Sequence, residues 1–186
     1  MSATTVSYRT PLAVSAAEAF RRHARPGALE RLAPPWEPVQ VLERTGNGIS
    51  DGARVTLGIR VGLLRWVSEH RGYRQDEQFC DVQIAGPFAR WEHTHRFVPD
   101  GAAACDLEDR ITDALPLGLV AQRWAGALVR RKLDRLFTYR HHIAQHDLAA
   151  HAAYVEPRRL IDTGYVWRYP DLDGALRHGL GKPHAA

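Results

Sequence analysis

The feature that most constrains the fold is a long stretch near the C-terminus, Leu117–His151, that has helical periodicity and no internal proline. Pro116 precedes the stretch, and the next proline is Pro157, so nothing in between forces a helix to end. Its apolar residues recur with the period of one helical face, at Ala125, Val129, Leu133, Leu136 and Ile143. Polar residues recur on the opposite side, at Arg123, Arg130, Asp134 and His141. A helix of roughly thirty residues is about 45 Å long, which spans a small domain.

Most of the chain before this helix has the alternating apolar and polar pattern of β-strands. The pattern predicts strands at Thr4–Ala13, Val39–Arg44, Ala53–Val61, Leu64–Tyr73, Glu77–Ile84, Phe88–Val98 and Ala104–Leu115. Tight turns such as Gly86-Pro87 and Pro99-Asp100-Gly101 join them, so we expect antiparallel neighbours.

Two short helices are predicted between the first and second strands. Ser15 and Glu18 have the capping-box spacing, and Gly27 stops the first helix. A second helix follows at once and ends before Pro34. The predicted fold is therefore α+β: a curved antiparallel sheet wrapped around the long C-terminal helix, with an apolar hollow between them and the short helices closing one end.

Composition excludes several classes of protein. The chain has 186 residues, 45% of them hydrophobic and 25% charged, which predicts one globular domain with a short appendage. No apolar run reaches the roughly eighteen residues of a membrane span, and the N-terminus lacks a signal-peptide pattern. Cys80 and Cys105 lie in predicted strands without metal-ligand spacing and are expected to be buried thiols. We expect a cytoplasmic protein.

The basic charge raises the question of nucleic acid. The net charge is +4, and the long helix carries several arginines. A basic helix can bind phosphates, or it can be the solvated side of a helix whose other side is core. The sequence has no aromatic and glycine motif of an RNA-binding sheet and no helix-turn-helix pair. We expect no nucleic-acid partner and no membrane partner.

The sharpest polar feature is on the strand Phe88–Val98, where Trp91, His93, His95 and Phe97 share one face. Counting from the turn at residues 99–101, Asp109 on the next strand lies near the two histidines. They could form a structural hydrogen-bond network, contact a ligand, act as an acid–base pair or hold a metal ion. The structural network is the expectation, with no metal and no cofactor.

A second group of histidines lies at the end of the long helix: His141, His142, His146 and His151. His142 and His146 have the spacing of two ligands on one helix face, but no glutamate completes a zinc motif. We interpret the group as a solvated helix end. The aromatic residues Trp66, Trp91, Trp124, Phe79, Phe88 and Phe97 are either core or the lining of the hollow.

Three motifs resemble those of the START-like or Bet v 1-like superfamily, also called SRPBCC, over roughly Thr4 to His146. They are Trp91-x-His93-x-His95-x-Phe97, Asp109-x-Ile111 before Pro116, and Phe137-x-Tyr139-Arg140. The resemblance is to bacterial stand-alone ligand-binding members that also occur fused to epimerase-like proteins. It implies a helix-grip fold with a cavity for a hydrophobic small molecule. Asp113 departs from the aromatic residue usual there, and facing inward it would make the cavity more polar.

The segment Val155–Pro183 resembles the C-terminal tail of NAD-dependent epimerase-like proteins of the extended short-chain dehydrogenase type. The resemblance rests on Pro157, Leu160, Gly164, Tyr165, Tyr169-Pro170, Leu172 and Ala175-Leu176. The Rossmann domain that would separate the two regions is absent, since no glycine-rich dinucleotide motif and no Tyr-x-x-x-Lys pair occur. The predicted domains are thus residues 1–150 for ligand binding and residues 151–186 as the appendage.

The predicted function is binding of a hydrophobic or partly polar small molecule between the sheet and the long helix, without catalysis. The expected ligand-binding residues are Trp91, His93, His95, Phe97, Asp109, Trp124 and Leu128. One alternative is a cyclase or aromatase-like enzyme that uses the His–Asp pair. Another is an interaction module that works with a separate Rossmann-fold epimerase-like partner.

Overall fold

The computed structural model describes residues 3–37, 39–59, 64–116 and 119–152. Its strands are β1 (Thr4–Leu12), β2 (Val39–Thr45), β3 (Arg54–Ile59), β4 (Leu64–Arg74), β5 (Gln78–Ala85), β6 (Arg90–Pro99) and β7 (Cys105–Ala114). Its helices are α1 (Ala16–Ala24), α2 (Ala28–Leu32) and α3 (Leu119–Ala152). The predicted α+β fold is confirmed. The appendage predicted over residues 151–186 lies outside the described residues, apart from the last two residues of α3.

The seven strands form one antiparallel sheet in the order β1-β7-β6-β5-β4-β3-β2. Consecutive strands from β2 to β7 are neighbours, as tight turns require. The first strand lies at the far edge beside the last one, with Thr4 paired to Asp113. Helices α1 and α2 therefore connect the two opposite edges of the curved sheet.

Local sequence explains where the short helices begin and end. The Ser15 hydroxyl accepts a hydrogen bond from the Glu18 backbone amide at 3.3 Å, which caps α1. Gly27 has a φ of +83°, a left-handed conformation in which a glycine carries little cost, and it separates α1 from α2. The buried face of α1 places Phe20 edge-on to Phe79 and Phe97. This aromatic contact attaches the helix to the sheet.

Helix α3 buries one stripe of side chains against the sheet and α1. The stripe consists of Leu133, Phe137, His141, Ala144 and Leu148, spaced by three or four residues. The predicted apolar face is partly confirmed: Leu133 is buried, and the other four residues are half-buried. The prediction that His141 belongs to the solvated side is wrong, since its exposed fraction is 6%. His142 and His146 are exposed as expected.

Candidate functional site

Two parallel rows of polar side chains cross the buried face of the sheet. In the first row, His70 on β4, Asp81 on β5 and His93 on β6 are direct cross-strand partners. In the second row, His95 on β6 pairs with Asp109 on β7. Directly paired residues in a sheet project to the same face, so the rows lie side by side. We call the set Asp81, Asp109, His70, His93, His95 and His141 the Asp–His network.

Asp109 is the centre of the network. Its exposed fraction is 3%, and it accepts hydrogen bonds from His93 Nε2 at 2.8 Å and from His141 Nε2 at 2.7 Å. His95 Nδ1 lies 2.7 Å from the same carboxylate, at an angle too poor for a hydrogen bond. One carboxylate on β7 thereby connects two histidines of β6 to one of α3. The expected proximity of His93, His95 and Asp109 is what the structure shows.

Asp81 is the second carboxylate, and it lies nearer to solvent. Its side chain is 23% exposed. Its Oδ1 is 2.8 Å from His70 Nδ1, and its Oδ2 is 3.3 Å from His95 Nε2 and 3.9 Å from His93 Nδ1. Asp81 therefore contacts the two β6 histidines from the side opposite to Asp109.

The two carboxylates are held in the charged form. Burial alone would raise the pKa of Asp109, but the charge of His95 and the hydrogen bonds from His141 and His93 outweigh it and hold the pKa well below its usual range. Burial opposes ionisation of Asp81 as well, and contacts with His70 and His95 likewise lower its pKa. The network thus carries negative charge that a cation can compensate.

The histidines have pKa values shifted in opposite directions. Burial would lower the pKa of His95, but the charge of Asp109 outweighs it and raises the pKa to about 9. Burial and repulsion from His95 lower the pKa of His93 to about 4, against the pull of Asp109. Burial also lowers the pKa of the nearby His23, on α1, to about 4. Near neutral pH the proton resides on His95, while His93 and His23 are neutral.

The other predicted site residues divide into two groups. Trp91 and Phe97 are buried on the same face as the histidines, as expected. Trp124 and Leu128 are 82% and 60% exposed on α3. Trp124 precedes the buried Leu133 by nine residues, about two and a half turns, which places it on the opposite side of the helix. Trp124 therefore faces away from the buried stripe of α3, and a role for either residue in ligand binding stays a prediction.

Sequence reasoning missed His70, Asp81 and His141. The position of Asp81 could have been predicted, because residues 81 and 93 lie symmetrically about the predicted Gly86-Pro87 turn. His70 was harder to place, because the pairing of β4 with β5 is irregular between Arg71 and Arg74. His141 continues the spacing of Leu133 and Phe137, but the basic residue before it and His142 after it favoured a solvated interpretation.

Asp113 is also buried, at 3% exposure, and its Oδ1 accepts a hydrogen bond from the Thr4 hydroxyl at 2.9 Å. Its other oxygen, Oδ2, is buried without a hydrogen-bond partner. The polar character predicted for this position is thus present inside the protein. Asp113 pairs with Trp91 across the strands, so it lies beside the aromatic residues at one end of the sheet.

Two of the depressions among the described residues are next to α3. One, of about 100 Å³, lies between α1, α2 and the C-terminal part of α3, and His23 and Leu148 are among its lining residues. The other is an open groove of about 450 Å³ on the outer side of α3, beside Trp36 and Tyr139. Neither is an enclosed cavity between the sheet and α3. In the described part of the chain, no helix combines the length and apolar character needed to cross a bilayer.

An antiparallel sheet curved around one long C-terminal helix defines the START-like or Bet v 1-like class of proteins. The chain belongs to the polyketide cyclase / dehydrase and lipid transport family, whose sequence pattern matches residues 12–137. Residues 145–179 match a domain of unknown function, DUF1731, in the region of the predicted epimerase-associated tail. No curated protein matches the sequence.

Solved structures with the same fold are distant in sequence. Norcoclaurine synthase from Thalictrum flavum, in complex with dopamine and hydroxybenzaldehyde, is 15% identical, with a TM-score of 0.62 over 80% of this chain and 88% of that one. The Zhui aromatase/cyclase from a Streptomyces species is 14% identical, with a TM-score of 0.62 over 80% and 94%. At this identity the similarity establishes the fold alone.

A third structure contains the fold as part of a longer chain. It is the nucleoside-diphosphate sugar epimerase from Corynebacterium glutamicum, which is 23% identical with a TM-score of 0.62. The alignment covers 77% of this chain and 29% of that protein. The matched region is therefore less than a third of the epimerase.

Proposed function

We propose that the protein binds a small apolar or partly polar molecule between the sheet and the N-terminal half of α3. The proposal rests on the difference in side-chain burial between the two halves of α3. The inward stripe is fully buried from Leu133 to Leu148, whereas over residues 124–132 no side chain is fully buried. The inward-facing Ala125 and Val129 are only half-buried. A ligand that covers this half would remove apolar surface from water, worth about 25 cal/mol per Å².

Aromatic side chains on the sheet face this half of the helix. Trp66, Phe88 and Trp91, which we call the aromatic rim, pack with ring centroids 4.9–5.6 Å apart. Val129 of α3 packs against the same cluster. Trp66 and Phe88 are half-buried, and the Trp66 indole donates a hydrogen bond to the Ser68 hydroxyl at 2.8 Å. The rim supplies rigid apolar surface of the kind that lines ligand sites.

Polar groups next to the rim would orient a partly polar ligand. His93 lies two residues from Trp91 on the same strand face, and its ring meets Phe137 edge-on at 5.0 Å. Asp113 pairs with Trp91 and has a buried oxygen that accepts no hydrogen bond. A ligand hydroxyl or amine could donate to such an oxygen, and a few polar contacts of this type fix orientation in an otherwise apolar site.

The experiment compares two tryptophans. Fluorescence titration with the apolar probe 1-anilinonaphthalene-8-sulfonate should give about tenfold weaker binding for Trp66→Ala, because the change removes a wall of the site. Trp36→Ala is the control, since Trp36 contacts Tyr139 and Arg135 away from the rim. Equal effects of the two changes, or an absence of probe binding to the wild type, would contradict the proposal.

Native mass spectrometry of freshly purified protein provides a second measurement. We expect a small molecule of a few hundred daltons to co-purify and to be lost in Trp66→Ala. Such a molecule would also identify the ligand. A wild-type protein that purifies without one and takes up no apolar probe would exclude this function.

A second candidate function is acid–base catalysis, favoured by the two histidines with opposite pKa shifts. The rings of His93 and His95 have centroids 3.9 Å apart, one neutral and one protonated near neutral pH. Pairs of this kind provide a base and an acid in one site. Cyclisation of a linear polyketide mimic that disappears in a His93→Ala, His95→Ala double variant that still folds would support catalysis. Turnover that survives would exclude it.

We also infer an interaction with a Rossmann-fold epimerase-like protein. The DUF1731 match at residues 145–179 and the similarity to part of an epimerase support this inference. Light scattering after size-exclusion chromatography of a mixture should show a complex that Tyr165→Asp weakens. Separate elution of the two wild-type proteins would contradict it.

A further inference from the structure

We infer that Asp81, His93 and His95 form a binding site for a divalent transition-metal ion such as Zn²⁺ or Fe²⁺. One donor atom can be chosen from each residue so that all three lie within 4.8 Å of one another. Two imidazoles and one carboxylate are a ligand set that these ions prefer. The inference is independent of the proposed small-molecule site and goes against the expectation of no metal.

The hydrogen bonds of His93 direct a lone pair towards Asp81. An ionised carboxylate only accepts hydrogen bonds, so His93 Nε2 must donate its proton to Asp109. In the neutral ring the other nitrogen, Nδ1, is then an acceptor. This nitrogen lies 3.9 Å from Asp81 Oδ2, so two hydrogen-bond acceptors face each other. A cation between them would satisfy both.

His95 completes the site from the same strand face. Its Nε2 lies 3.3 Å from Asp81 Oδ2, while its Nδ1 lies 2.7 Å from Asp109. A metal ion bound to Nε2 would take the place of the hydrogen that His95 donates to Asp81 Oδ2. Binding would therefore release a proton, as is usual when a metal displaces hydrogen from an imidazole.

The residues around the site have the arrangement that usually supports metal ligands. Ligating histidines commonly donate their second N–H to a carboxylate, and ligating carboxylates are themselves held by neighbours. Asp109 holds His93 in this way, and His141 donates to the other oxygen of Asp109. His70 Nδ1 lies 2.8 Å from the Asp81 oxygen that does not face His93 and His95. His93 thus has a hydrogen-bonded partner behind it, whereas Asp81 and His95 each have a close polar contact there.

The spacing fits an ion after a contraction, since the three donor atoms now lie within 4.8 Å of one another. Ligand atoms at about 2.1 Å from a tetrahedral ion are roughly 3.4 Å apart. The two contacts of Asp81 Oδ2, at 3.3 and 3.9 Å, are close to this value. Asp81 is 23% exposed, so an ion can enter from its side of the network. Three protein ligands leave at least one coordination position for water or another ligand.

The test is done in the full-length His142→Gln, His146→Gln variant. These two residues are exposed, one helical turn apart, and could bind Zn²⁺ at the surface, so removing them leaves the buried site to be measured. Competition titration should show one Zn²⁺ per chain, and Co²⁺ should give the visible absorption of a bound imidazole complex. Mg²⁺ should not compete, because it prefers oxygen ligands.

Single changes in this background identify the ligands. Asp81→Asn and His95→Gln should each weaken Zn²⁺ binding by at least about 100-fold. Asp106→Asn is the matched control, because Asp106 lies on the other face of β7, where it forms an ion pair with Arg9, and the change should leave affinity unchanged. Zn²⁺ should raise the melting temperature of the background and of Asp106→Asn but not that of Asp81→Asn.

Two results would overturn the inference. One is a background variant that binds no Zn²⁺ or Co²⁺ tighter than about 100 μM, a measurement that needs no further substitution. The other is unchanged affinity in a folded Asp81→Asn variant. Metal binding that vanishes only when His142 and His146 are removed would assign the ion to the helix surface and would also refute the buried site.

Discussion

Asp109 illustrates how a buried charge is tolerated in this protein. Transferring a lone carboxylate from water to an interior costs several kcal/mol. Here two hydrogen bonds from histidines and a close contact with His95 compensate that cost. Its partners come from β6 and α3, so the residue links the sheet to the helix. Its effect on stability should therefore be far larger than that of a surface aspartate.

We predict that Asp109→Asn lowers the free energy of unfolding by about 3–5 kcal/mol, because it leaves buried donors and a protonated His95 without their counter-charge. Urea denaturation followed by circular dichroism measures the change. Asp106→Asn on the same strand is the control, and it should cost less than about 1 kcal/mol because the ion pair of Asp106 with Arg9 is at the surface. Similar costs for the two variants would show that the Asp–His network does not stabilise the fold.

Helix α3 has two halves that differ in how they meet the sheet. Leu133 is 6% exposed within the buried stripe, whereas Leu128, on the same helix, is 60% exposed. Leucine truncation in a core loses both transfer free energy and packing. The same truncation at the surface loses little.

We predict that Leu133→Ala lowers the free energy of unfolding by about 2–5 kcal/mol and that Leu128→Ala changes it by less than about 0.5 kcal/mol. Both values come from the same denaturation experiment. A cost above about 2 kcal/mol for Leu128→Ala would mean that this side of α3 is covered in solution.

The hairpin between β2 and β3 depends on Gly46. It has a φ of +79°, and a Cβ there would lie 2.8 Å from Ala53 Cα. Gly48 has a φ of +57°, but a Cβ there meets no atom within 4 Å. We predict that Gly48→Ala costs about 1 kcal/mol from the left-handed backbone, and that Gly46→Ala costs about 1–3 kcal/mol more from the clash. Thermal denaturation compares the two, and equal losses would contradict the close approach.

The elements were predictable because their signals are local. Alternation and turn residues located all seven strands, and the capping spacing of Ser15 located α1. Which side of α3 faces the sheet was harder to predict, because the charged and apolar positions of this helix are poorly separated. His141 counts as polar in any periodicity argument, yet it occupies a core position since Asp109 provides its partner. Such a pairing is a tertiary contact that a single helix cannot reveal.

The network as a whole was only half predictable. His93, His95 and Asp109 follow from strand alternation and one regular turn. Predicting the place of Asp81 requires the register of the hairpin β5–β6. Predicting the place of His70 requires in addition the register of the hairpin β4–β5, which is irregular. Opposite pKa shifts on two histidines of one strand depend on how the two carboxylates surround them. These pKa shifts arise only in the folded protein, and they determine how its stability responds to pH.

We predict that the stability of the metal-free protein, measured with a chelator present, has a maximum near pH 6.5. His95 has a folded pKa of about 9, above the unfolded value of about 6.5, so its contribution is full below pH 6.5 and is lost as the pH rises to 9. His93 and His23 have folded pKa values of about 4, so their contributions are present above pH 6.5 and are lost as the pH falls to 4.

Urea denaturation from pH 4.5 to 9 measures this profile. His146→Gln is the control and should keep the maximum, because His146 is exposed on α3. A free energy of unfolding that stays constant between pH 6.5 and 9 would show that His95 carries no extra proton in the folded state.

The pairing of β1 with β7 has a consequence for synthesis on the ribosome. Thr4 forms its partner contact with Asp113, and Leu12 forms its contact with Cys105. Of the seven strands, β1 leaves the ribosome first, and it therefore has no edge to pair with until β7 has emerged. The hairpins from β2 to β7 can form while the chain grows, because each joins neighbouring segments. A nascent chain stopped before Cys105 should thus expose β1 to proteases and chaperones, and only a longer one should protect it.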